Sequence, residues 1–165
     1  MTASVLLAIA LGLAQSNSPV QGTYAYRRAT TPGIPPGGGV AASPERATAT
    51  ADFVYVVLRK GTRPSSCGVW LKGTYYGATL QKVASPVTID VNPAVPTGQR
   101  ETLVPKTDSD VYRVSLRELK PWVPETDADR QATRDNEVVV FLQASGKRWH
   151  GTAREIKRLH PVPGQ

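Results

Sequence analysis

Apolar and polar residues alternate from Val20 to Arg27, with Val20, Tyr24 and Tyr26 on one side, which is the period of a half-buried strand. Phe53-Val54-Tyr55-Val56-Val57-Leu58 loses that alternation and is apolar throughout, so it predicts a central strand covered on both faces. Shorter strands are predicted at Gly68 to Lys72, Thr79 to Val83, Val87 to Val91, Thr102 to Pro105, Val111 to Leu116 and Glu137 to Ala144. Between them lie Gly73, Gly77, Ser85-Pro86, Asn92-Pro93, Pro96-Thr97-Gly98 and Asp108-Ser109-Asp110, residues that favour turns. Asn136 to Ala144, Ser145-Gly146-Lys147 and Arg148 to Leu159 read as a hairpin with a tight glycine turn.

Helical signals are few. Thr126 with Asp129 makes a capping box that opens a helix over Glu125 to Asp135. Its apolar residues are Ala128 and Ala132 alone, so it is expected on the surface. Ser43-Pro44-Glu45, followed by Ala47, Ala49 and Ala51, predicts a second short helix. Residues 30–42, crowded with Pro32, Gly33, Pro35, Pro36, Gly37, Gly38 and Gly39, are expected to form a flexible loop. Short strands without strand–helix alternation predict an all-β fold: two antiparallel sheets in an immunoglobulin-like sandwich, or a barrel, with one or two short surface helices. Trp70 on an early strand suits such a sandwich, although the cysteine pair of immunoglobulin domains is missing.

The run Val5 to Ala14 is apolar, uncharged and too short for a membrane-spanning helix, and it breaks sharply into Gln15-Ser16-Asn17-Ser18-Pro19. Residues 1–14 are therefore expected to be a signal peptide and residues 15–165 one β-rich domain, exported to the periplasm, cell surface or medium, with no transmembrane segment after cleavage. Met1-Thr2-Ala3-Ser4 lacks the usual basic residue, which leaves open a true start upstream of Met1. Cys67 is the single cysteine, so packing alone must hold the domain, and a buried, inert thiol is expected.

A formal charge of +7 favours anionic partners, such as an anionic polysaccharide, through attraction that salt screens. No nucleic-acid-binding motif accompanies the charge. The densest basic stretch is Lys147, Arg148, Trp149 and His150, continued by Arg154, Lys157 and Arg158. It reads either as a cationic surface with an indole platform or as a terminal edge strand whose charges block association. Tyr75, Tyr76 and Trp122 are expected on loops, where aromatics stack on sugar rings, anchor a protein partner or plug one end of the fold.

Catalytic signatures do not assemble. Cys67 at a strand entrance lacks the helix N-terminus that activates a thiol, and His150 and His160 read as surface residues without metal-ligand spacing. Asp108 with Asp110, and Asp127 with Asp129, are the carboxylate pairs near enough in sequence to share a calcium ion, although neither fits the calcium-loop pattern. No cofactor is called for. The expected function is an exported, non-catalytic binding or accessory module for a protein partner or anionic polymer. The alternatives are a structural component of a cell-envelope assembly and a hydrolase with its site scattered over loops.

Overall fold

The computed structural model describes residues 18–31, 49–91, 98–121 and 125–163. The expected signal peptide, most of the Pro/Gly-rich loop, the first half of the helix expected after Ser43, and Trp122 lie outside them.

The long strands are β1 (Val20–Thr31), β2 (Ala49–Leu58), β3 (Pro64–Leu71), β4 (Thr74–Val83), β7 (Asp110–Leu119), β8 (Val138–Ala144) and β9 (Lys147–Ala153). Between them come a ribbon of β5 (Val87–Asp90) and β6 (Arg100–Val104), the helix α1 (Asp127–Asp135), and the short terminal strands β10 (Lys157–Arg158) and β11 (Val162–Pro163). The main sheet runs β10-β1-β2-β7-β4-β3-β8-β9, with β11 also paired to β1. The all-β expectation holds, with one short helix among the described residues. Ala49 to Ala51, expected in a helix, are strand instead, because pairing with β1 from Arg28↔Ala51 to Thr30↔Ala49 satisfies their backbone groups.

The two layers come from one sheet that curls over itself. Its concave face buries Ala25, Val54, Val56, Leu58, Val69, Leu71, Val114, Val138, Val140 and Leu142 in one core. The two ends of the curl meet at Gly151 of β9. A Cβ there would collide with the Thr23 hydroxyl and come within 3.2 Å of Val20 and 3.4 Å of Val56.

On the convex side the β5–β6 ribbon covers β1, β2 and β7. A second core forms there from Tyr26, Tyr55, Val57, Leu103, Val104, Val111 and Leu159. β2 is thus buried on both faces, as its unbroken apolar run requires, and each of its buried Val and Leu side chains contributes about 1.5–3 kcal/mol. Polar contacts pin the ribbon: the Tyr26 hydroxyl donates to the Leu103 carbonyl at 2.5 Å, and Arg28 Nη2 donates to the Asp90 carbonyl at 2.8 Å.

Two hairpins turn tightly at opposite ends of the sheet. The β8–β9 turn places Ser145 and Gly146 at φ 52° and 73°, and the β3–β4 turn places Lys72 and Gly73 at φ 45° and 90°. Two successive positive φ values match the right-handed twist of the flanking strands and make these tight two-residue turns. The last predicted strand is shorter than expected. Its chain bends at Arg154 and Glu155, then pairs parallel to β1 through β10.

Candidate functional site

The basic run of β9 does not form one surface. Side chains alternate along a strand, so Trp149 and Ala153 turn toward the main core while Arg148 and His150 turn outward beneath α1.

On the concave side, Lys147 and Trp149 border a cleft of about 540 Å³ at one end of the curled sheet. The β2–β3 loop supplies Lys60 and Arg63 to the same cleft, and Pro19 and Ser145 close its edges. Arg59 holds this loop against the start of β1, its backbone N–H donating to the Pro19 carbonyl at 2.7 Å. Three cations and an indole therefore converge, and among the described residues no carboxylate lines the cleft. Among the described residues Lys60, Arg63 and Lys147 form no ion pair. Asp110 lies behind the loop, but its oxygens are committed to Lys82 at 2.8 Å and to the Gly61 N–H at 3.1 Å. Those bonds hold the Asp110 carboxyl below the usual carboxylate range.

The indole of Trp149 is half-buried and packs against the main core from inside this cleft, so the platform and core readings describe one residue. Lys60 and Arg63 were not among the expected binding residues. The signal for them was the sequence Arg59-Lys60-Gly61-Thr62-Arg63, with three basic residues in five, more basic per residue than the β9 run.

On the convex side, α1 is attached through a single buried group. Asp129 is its one buried residue, with no exposed side-chain surface. Asp129 Oδ2 accepts from the backbone N–H groups of Glu125 and Thr126, both at 3.1 Å, and from Arg148 Nη1 at 3.2 Å. His150 Nε2 lies 2.7 Å from Oδ1. Burial raises the Asp129 pKa, but the Thr126 and Glu125 donors and His150 outweigh it and hold the carboxyl below its usual range. The expected capping box is present, since the Thr126 hydroxyl also accepts from the Asp129 N–H at 3.1 Å.

Arg148 is engaged as well, 2.6 Å from Glu125. His150 is not the surface residue expected: it packs edge-on to Phe141, with centroids 5.1 Å apart. Asp127 pairs with Arg130 at 2.7 Å. Neither carboxylate pair considered for calcium is therefore available, and no group of three or more candidate metal-binding side chains occurs among the described residues.

Tyr75 and Tyr76 are not on a loop. Both lie in β4, where alternation turns Tyr76 toward the main core and Tyr75 outward against Phe141, with centroids 5.9 Å apart. Tyr75 borders a second cavity of about 270 Å³ with Ser66, Lys120, Glu125, Gln143 and Arg148. The remaining basic residues disperse. Arg154 borders shallow clefts near Lys72 and Tyr24, Lys157 lines the second of these, and Arg158 pairs with Arg27 in the β1–β10 ladder. Cys67 lies half-buried in β3 against the main core, and burial pushes its thiol up to about 12, far from an activated nucleophile.

No helix among the described residues is long and apolar enough to cross a membrane. No family model, curated protein or solved structure matches the chain.

Proposed function

We propose that this protein is an exported, non-catalytic module that binds an anionic polymer in the cationic cleft at the end of the curled sheet. One observation carries the proposal: Lys60, Arg63, Lys147 and Trp149 converge on a concave surface with no carboxylate among the described residues that line it. Three like charges that form no ion pair among the described residues repel one another, and are retained at a cost that an anion removes. An extended polymer suits the cleft better than a protein partner, because Leu119 is the one large exposed hydrophobic among the described residues. Export is proposed from the apolar run Val5 to Ala14, and N-terminal sequencing of the mature protein checks it.

The binding test is retention on an anionic polysaccharide matrix over a series of salt concentrations. Three cation–anion contacts give a slope of log affinity against log salt of about −2 to −3 by counterion release. Changing Lys60, Arg63 and Lys147 to Glu together abolishes retention, whereas Lys157→Glu, which lines neither this cleft nor the cavity beside Tyr75, leaves the slope unchanged. Equal retention of the triple variant and the parent refutes the assignment.

A further inference from the structure

We infer that the convex-side cavity is a subsite for one neutral, hydroxylated sugar ring, so that the polymer bound in the cationic cleft is a glycan. The inference rests on the anion-binding proposal and names the chemistry of its ligand.

The two cavities share the β8–β9 hairpin and lie on its opposite faces. Lys147 and Trp149 line the cationic one, and Gln143 and Arg148 line the other. Ser145, at the rim of the first, is two residues from Gln143 in the second, so a flexible chain leaving the cleft over the turn reaches the convex side directly.

The chemistry differs between the faces. Where the concave cleft is uniformly cationic, the convex cavity carries charges of both signs, and Arg148 is neutralised by Glu125 at 2.6 Å and Asp129 at 3.2 Å. A second anion gains little there, whereas a neutral ring with many hydroxyls finds donors and acceptors together. The Gln143 amide offers both, and Ser66 already donates to its Oε1 at 3.3 Å. Glu125, held by Arg148 through one oxygen, keeps acceptor capacity for a hydroxyl. The apolar component comes from Tyr75 and Phe141, set edge-to-face.

Gly68 and Gly77 face each other across β3 and β4. The Tyr75 ring and hydroxyl lie over Gly68 and the Lys120 side chain lies over Gly77, so both side chains are seated on the sheet and border the cavity. A volume of about 270 Å³ suits one sugar ring and not a folded partner.

Two probes separate the subsite from the cleft. A short hyaluronan oligosaccharide alternates anionic and neutral rings, and inorganic polyphosphate carries charge without rings. Binding is measured by calorimetry at one salt concentration for the full chain, with circular dichroism confirming that each variant folds. Gln143→Ala and Tyr75→Leu each weaken hyaluronan binding about three- to tenfold, the first by loss of a neutral hydrogen bond and the second by loss of the aromatic contact, and leave polyphosphate binding unchanged. The triple cleft variant weakens both ligands. Unchanged hyaluronan affinity in both Gln143→Ala and Tyr75→Leu overturns the sugar subsite while leaving the cationic cleft standing. Equal weakening of polyphosphate by these variants overturns it too, since the effect is then not specific to rings. Unchanged binding of both ligands by the triple variant overturns the cationic cleft instead.

Discussion

Replacing Asp129 by alanine removes the only buried group that α1 contributes to the rest of the molecule. Its side chain holds the backbone N–H groups of Glu125 and Thr126 and contacts Arg148 and His150 on β9. Loss of the reciprocal half of the capping box costs about 1 kcal/mol. Loss of charge-assisted bonds between helix and sheet adds about 1.5–3 kcal/mol, with the lower end favoured because Arg148 stays partly solvated and keeps Glu125. The expected destabilisation is therefore about 2.5–4 kcal/mol, several times what an ordinary surface helix position gives. At about 2–4 °C per kcal/mol for a domain of this size, the melting midpoint falls by roughly 5–16 °C. Urea denaturation followed by tryptophan fluorescence measures it as a lower midpoint at unchanged slope. Hydrogen exchange adds a local readout: amides of α1 lose protection before those of β2 and β8. A loss below about 0.5 kcal/mol, the range of a solvated surface residue, refutes the claim that one carboxylate anchors this helix.

Acid sensitivity follows from the same chemistry. Asp110, Asp129 and Glu137 all have pKa values lowered in the folded state, Glu137 chiefly because it accepts from the Ile156 N–H at 2.7 Å. Their stabilisation is complete above the unfolded-state pKa of about 4 and is lost as pH falls through the lower folded-state values. The urea midpoint should drop between pH 5 and pH 3, less steeply in Asp129→Asn; a flat profile counts against these bonds. For Cys67, a thiol pKa near 12 leaves on the order of one molecule in ten thousand as thiolate at pH 8, so a disulfide reagent should label native protein far more slowly than urea-unfolded protein. Equal rates would show the thiol to be open to solvent and unperturbed.

The sequence by itself determined the all-β class, the doubly covered strand at 53–58, the tight turn at 145–146 and the capped helix after Thr126. Each is a local matter of periodicity, turn chemistry or capping, written within a few residues. It did not determine which cations act together. Lys147 and Arg148 are neighbours in the chain but lie on opposite faces of β9, one open to an anion and the other neutralised by α1. Lys147 finds its partners Lys60 and Arg63 more than eighty residues away, because β3 pairs with β8 and carries the β2–β3 loop to the tip of the β8–β9 hairpin. Asp129 was visible as a capping residue, but its burial depends on where β9 sets Arg148 and His150. Strand order and the curl of the sheet decide these meetings, and pairing between distant segments leaves no trace in the local spacing of residues.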